Sequence, residues 1–136
     1  MYALGLAPLI GRIILLLTTT GRKSGKRRVT PLQYEEIDGM FYLGAARGLK
    51  TDWVRNIQAN PQVEVRVKHR RIIARAELIN DTQQIADFLQ VRLQRHPKMV
   101  GAMTKMHHLP PNPGRPQLEE LAKILAVVKI QPVNEL

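Results

Sequence analysis

The sequence predicts a mainly β fold of the α+β class, a small barrel or half-barrel of about six mostly antiparallel strands with attached helices. Three observations carry this. Short β-branched segments alternate apolar and polar residues, most clearly Val63, Val65 and Val67 against Gln62, Glu64 and Arg66. Asp38-Gly39 separates two such segments and supplies the positive φ angles of a type I′ hairpin. No strand–helix–strand rhythm recurs that would argue for a parallel sheet. A length of 136 residues with 44% hydrophobic composition suits one domain, residues 1–136, around one core.

Along the chain, Ala3 to Leu17 is apolar but broken by Gly5, Pro8, Gly11 and Arg12. It lacks the ~20 continuous apolar residues of a membrane span and the charged start and cleavage site of a signal peptide. It reads as a short apolar helix covering one end of the core. A basic loop directly behind such a segment also fits peripheral contact with a bilayer.

Ile13 to Thr20 is the first strand, closed by Thr18, Thr19 and Thr20; Arg28 to Ile37 is the second and Met40 to Ala46 the third. Thr51 or Asp52 caps a short helix with Trp53, Val54 and Ile57 on one face, ended by Asn60-Pro61. The alternating valines form strand four. Strand five runs from Arg71 to Ile79 with Ala74, Ala76 and Leu78 on one face, after a turn at Lys68, His69 and Arg70.

Asp81 and Gln84 form a capping box for a longer helix. Its Ile85, Phe88, Leu89 and Leu93 make an amphipathic face, and His96-Pro97 ends it. Lys98 to Met106 adds another turn or two. His107 to Pro116 carries four prolines and is a loop, and Leu125 to Ile130 is the sixth strand. Sheet edges and the apolar N-terminus make a homodimer an expectation.

A formal charge of +10 with a pI near 10.5 indicates an anionic partner without identifying it. The absence of cysteine excludes disulfides, thiolate metal sites and cysteine nucleophiles, and accords with a cytoplasmic protein. His107 and His108 are adjacent, a placement that rarely points two rings at one ion, so no metal site is expected.

The charge concentrates in TTTGRKSGKRRVTP, Thr18 to Pro31. Gly21 and Gly25 bracket Arg22, Lys23 and Ser24, and Lys26, Arg27 and Arg28 follow. Like charges held close repel, and an anion seated among them removes the repulsion. A nucleotide P-loop needs four residues between its glycines and a Ser or Thr after the lysine. Here three residues intervene and Arg27 follows Lys26, so the motif is different. The physics is shared: the glycines free the backbone to turn N–H groups toward one point, Ser24 adds a hydroxyl, and the cations add charge-assisted bonds. The anion is either a phosphorylated cofactor or a nucleic-acid backbone; a water-solvated basic turn is the structural alternative.

Two further clusters follow. Gly44-Ala45-Ala46-Arg47-Gly48 ends strand three with small residues that let a flat group approach the backbone, while Arg47 reaches a second anion. Trp53 is the only tryptophan and fits a core plug; Asn56, beside it on the helix, is not explained by packing.

TTTGRKSGKRRVTPL, the AARG after strand three, and DWVRNIQANPQVEVRV, in this order, resemble the deazaflavin-dependent nitroreductase family. The likeness runs from about Leu15 to Ile79. It implies an FMN-binding-like split β-barrel and a site for coenzyme F-420, a deazaflavin carrying a phosphodiester and an oligoglutamate tail. By this resemblance Arg22, Lys23, Ser24, Gly25, Lys26 and Arg28 hold the phosphate and tail, and Thr30 and Pro31 border the ring. Ala45, Ala46 and Arg47 line the pocket under it, and Trp53 and Asn56 complete its edge. The implied activity is transfer of a hydride from the reduced cofactor to a small, apolar, electron-poor acceptor. That accounts for the lack of a Ser-His-Asp or paired-carboxylate constellation, and no catalytic side chain is assigned.

Two departures bear on the acceptor. Ala46 stands where some members have serine, and no tyrosine follows Tyr42, whereas nitroimidazole-reducing relatives carry tyrosines after the long helix. Two other partners fit the charge. FMN is the alternative cofactor on the same fold, although one phosphate needs fewer cations. A basic barrel binding nucleic acid is the other, but such barrels stack bases on several exposed aromatics, and this chain has six aromatics in all. No nucleic-acid partner is therefore expected.

Overall fold

A computed structural model describes residues 14–45, 47–98, 104–105, 107–108 and 113–136. The N-terminal apolar segment before Ile14, Ala46 and most of the expected extra turns from Lys98 to Met106 lie outside these residues. So does much of the proline-rich loop.

Six strands close into a barrel in the order β1-β2-β3-β6-β5-β4. They are β1 (Ile14–Thr20), β2 (Arg27–Ile37), β3 (Met40–Ala45), β4 (Gln62–Val67), β5 (Arg70–Ile79) and β6 (Ala126–Glu135). All neighbours pair antiparallel, and β1 closes the ring on β4 through Leu17 opposite Val65. The fold class is the one expected. Closure removes the free sheet edges, so the edge-based reason for a dimer loses its footing.

The local signals act as anticipated at the β2–β3 turn, where Asp38 and Gly39 have φ of 53° and 79°. Period-two alternation sends Val63, Val65 and Val67 inward, to meet Leu15, Leu17, Leu43, Ile72 and Ile130 in the barrel core. Arg70 belongs to β5 rather than to the preceding turn: Lys68 alone takes the positive φ, at 55°, so two residues suffice to reverse the chain.

β6 runs five residues past the expected Ile130. Pro132 lies opposite Ala74 and Asn134 opposite Ile73, so Val133 is the extra residue of a bulge that carries the strand past the proline.

Among the described residues three α-helices attach. Helix α1 (Asp52–Ala59) turns Trp53, Val54, Asn56 and Ile57 toward the barrel. Thr51 occupies its N-cap position, but the hydroxyl makes no capping bond. Helix α2 (Thr82–Arg95) is capped by Asp81, which accepts from the Gln83 N–H at 2.9 Å, one residue short of a capping box with Gln84.

Helix α3 (Arg115–Ala122) begins where a loop was expected and occupies a stretch given no element. Proline in a first turn loses no hydrogen bond, and the Gln117 side chain accepts from the Gly114 N–H at 2.9 Å. Helices α2 and α3 enclose a second core of Ile85, Phe88, Leu89, Leu118 and Leu121 against Val127. Among the described residues no helix is long and apolar enough to cross a membrane.

Candidate cofactor site

The basic turn joins β1 to β2 and stands over the N-terminal end of α1. The turn closes on itself: Gly21 N–H donates to Lys26 O at 2.7 Å and Gly25 N–H to Gly21 O at 2.8 Å. Gly25 has φ +71°, and the Ser24 hydroxyl accepts from Lys26 N–H at 3.1 Å. Gly21 has no room for a side chain, since a Cβ there would lie 2.9 Å from Ser24 Oγ.

These bonds change the expected anion chemistry. Four N–H groups of the turn are used within the protein: those of Gly21, Gly25 and Lys26, and that of Arg22, which donates to Asn56 Oδ1 at 3.2 Å. A backbone nest is therefore largely closed to a ligand, and anion binding falls to the side chains. Ser24 keeps its hydroxyl proton to donate.

The five cations of the turn divide into two sets. Arg22 is committed to α1: Nη1 donates to Asn56 Oδ1 at 2.8 Å and Nη2 pairs with Asp52 at 3.2 Å. Asn56 in turn reaches Thr19 Oγ1 at 3.4 Å, with both side chains buried. Arg27 pairs with Glu64 at 3.4 Å. Lys23, Lys26 and Arg28 have no acidic partner among the described residues. Three uncompensated charges on one turn make a standing attraction for a polyanion.

Beside this turn opens a cleft of about 700 Å³, lined by Arg22, Lys23, Ser24, Arg28, Thr30, Trp53 and Asn56 among the residues anticipated. Gly21, Arg27, Val29 and Asp52 line it as well and were not foreseen as site residues. Arg27 and Val29 are exposed at the start of β2, where the strand pairs with β1 but not yet with β3. Trp53 serves two roles, packed in the core at 6% exposure while presenting an edge to the cleft.

Other anticipated residues lie elsewhere. Gly25 and Lys26 shape the turn without lining the cleft. Pro31 is exposed on β2 opposite Leu16, Ala45 is buried in the barrel core, and Ala46 is outside the described residues. Arg47 lines a second cleft of about 540 Å³, with Leu78, Ile79 and Leu125. Gly48 explains the separation. Its φ is +64°, and a Cβ would sit 2.8 Å from the Ile124 carbonyl oxygen, so the turn after β3 is seated on the α3–β6 connection. No group of three or more His, Asp or Glu side chains among the described residues is placed to hold a metal ion.

A closed antiparallel barrel with a cationic turn beside a cleft edged by an indole is the arrangement that the sequence resemblance led one to expect. Comparison with known proteins agrees. The sequence profile described as F420H(2)-dependent quinone reductase matches residues 6–109, and the chain belongs to that family. It is an oxidoreductase whose cofactor is coenzyme F-420.

Solved structures share the split β-barrel fold. An F420-H2 dependent reductase is 22% identical at a TM-score of 0.62, covering 88% of this chain and 95% of its own. A chain solved as a domain-swapped dimer has the same identity and TM-score, covering 88% of this chain and 81% of its own. An F420 reductase is 17% identical at a TM-score of 0.55, covering 96% and 94%.

Proposed function

We propose that coenzyme F-420 lies in the cleft beside the 21–26 turn and that the acceptor is a small, apolar, electron-poor molecule of the quinone class. The observation carrying the site is that Lys23 and Arg28, unpaired among the described residues, line a cleft that ends at Trp53 and Asn56, with Lys26 unpaired on the same turn. Phosphodiester and carboxylate oxygens accept charge-assisted bonds from such side chains. The acceptor class is supported by the description of the family to which the chain belongs.

In this reading Lys23, Lys26, Arg28 and the Ser24 hydroxyl hold the phosphate and the tail. Thr30, Trp53 and Asn56 border the ring. Arg22 contributes by fixing the turn to α1, through Nη1 to Asn56 and Nη2 to Asp52. The reduced deazaflavin supplies a hydride when bound. The protein aligns the two reactants and keeps water from between them. A cytoplasmic location and one domain over residues 1–136 belong to the same reading, as does a homodimer, which the domain-swapped neighbour supports.

The test is a fluorescence titration with coenzyme F-420, followed by turnover of a soluble quinone. Charge reversal in Lys23→Glu and Arg28→Glu is expected to weaken coenzyme binding by roughly 100-fold or more, with the fold intact by circular dichroism. Unchanged affinity in both variants defeats the site. Normal coenzyme affinity without quinone reduction defeats the acceptor class alone.

A further inference from the structure

Arg27 faces two ways. It lines the coenzyme cleft, and it also walls a polar hollow of about 200 Å³ with Thr20, Asn60, Gln62 and Glu64. The strand register explains its reach. Arg27 lies opposite Thr20 of β1, and Glu64 of β4 lies opposite Thr18. Thr18 and Thr20 share one face of their strand, so Arg27 extends across β1 over that face to meet Glu64 at 3.4 Å.

The two partners are unequally committed. Glu64 is 12% exposed and holds a second cation, Arg71, at 3.3 Å. Arg27 is 69% exposed, and Glu64 is its acidic partner among the described residues. An ion pair made by so exposed a side chain is weak. Arg27 can therefore leave at little cost, and Glu64 keeps Arg71 when it does.

We propose that Arg27 exchanges Glu64 for a carboxylate of the coenzyme's oligoglutamate tail, which makes Glu64 a built-in competitor that sets how strongly the protein favours tail-bearing coenzyme. The inference rests on the coenzyme site proposed above. Lys23 and Arg28 line that cleft without an acidic partner among the described residues and serve the phosphodiester, which remains when the tail is removed. Arg27 adds a contact that only the tail can use. Every charge stays matched in the exchange: Arg27 is paired before and after, Glu64 retains Arg71, and the tail gains a charge-assisted bond. Arg27 and Glu64 thus act on coenzyme selection in opposite directions.

Fluorescence titration compares coenzyme F-420 carrying several glutamates with the form stripped of all of them, and the readout is the ratio of the two affinities. In the wild-type protein the tail-bearing form is expected to bind about tenfold more tightly. Arg27→Gln should lower the ratio about threefold or more, and Glu64→Gln should raise it about threefold. In the double variant the ratio should equal that of Arg27→Gln, because Glu64 acts through Arg27. A general charge effect of Glu64→Gln would persist without Arg27, whereas the exchange would not. Because Arg27 is exposed, Arg27→Gln carries the test if Glu64→Gln fails to fold. A wild-type ratio near one overturns the proposal and leaves the coenzyme site standing. So does a ratio indifferent to Arg27→Gln, or one that Glu64→Gln raises equally without Arg27. Binding of neither form by the wild-type protein removes the coenzyme site and this proposal together.

Discussion

Glu35 Oε2 lies 3.1 Å from Arg92 Nε, with Glu35 2% and Arg92 3% exposed, where the outer face of β2 meets helix α2. Arg95 and His96 approach the same carboxylate at 3.3 and 3.4 Å, and the Arg92 guanidinium lies 4.8 Å from the centre of the Phe88 ring. Burial lowers the pKa of Arg92 while Glu35 opposes the shift, and the guanidinium stays charged at any ordinary pH. The pair therefore holds α2 to the barrel only while both partners are present.

Glu35→Ala is expected to destabilise the protein by about 3–5 kcal/mol, because it leaves a buried charge unmatched. Replacing both charges, as in Glu35→Leu with Arg92→Met, should recover most of the loss. Urea unfolding checks this, and a double variant no more stable than Glu35→Ala would refute it.

Asn56 ties the basic turn to α1 through two bonds from Arg22. Asn56→Ala is expected to weaken coenzyme binding roughly tenfold, the equivalent of about one net hydrogen bond. It should also speed amide exchange across residues 21–26. Since Arg22→Ala breaks the same contacts, the double variant should lose much less than the sum of the two singles. Strict additivity would show that the tether does not matter.

Two glycines with similar φ should differ sharply. An alanine Cβ at Gly25 meets nothing within 4 Å, whereas at Gly48 it falls 2.8 Å from a backbone carbonyl that cannot swing aside. Gly25→Ala is expected to cost about 1 kcal/mol from left-handed backbone strain alone. Gly48→Ala should cost roughly twice that or more. Thermal unfolding of both variants decides it, and an equal loss would contradict the packing of the 47–50 turn.

Burial raises the pKa of the Tyr34 phenol above its ordinary value of 10.0, with the Glu36 charge adding to the shift and Arg70 opposing it. The folded state thus holds this proton more tightly than the unfolded chain does. Its contribution to stability is fully present below pH 10 and is lost as pH rises toward the folded value. In Tyr34→Phe that part of the alkaline loss should vanish. Denaturant midpoints from pH 8 to 11 test the sign, and a Tyr34 phenolate forming below pH 10 would reverse it.

Much of the barrel was legible in the linear chain because its signals are local. The Asp38-Gly39 turn needs only its own two φ angles, and the β4 alternation needs only a strand's period. The basic turn was equally visible, since five cations among eight residues from Gly21 to Arg28 stand out in any context. Helix α3 was not legible, because its short apolar set acquires meaning only against Ile85, Phe88 and Leu89 of α2. The same holds for Arg92, a cation on a helix pattern until Glu35 arrives from a strand 57 residues away.

What the sequence determined by itself was the fold class, the anion-seeking turn and, through its motifs, the deazaflavin kinship. The tertiary structure decided which cations are free to bind. It paired Arg22 with Asp52 and Asn56 and Arg27 with Glu64, while leaving Lys23, Lys26 and Arg28 unmatched among the described residues. It also sent Arg47 to a different cleft. The reason is physical: strand and turn propensities act within a few residues, whereas charge pairing and cleft formation depend on which distant segments closure of the barrel brings within a few ångströms.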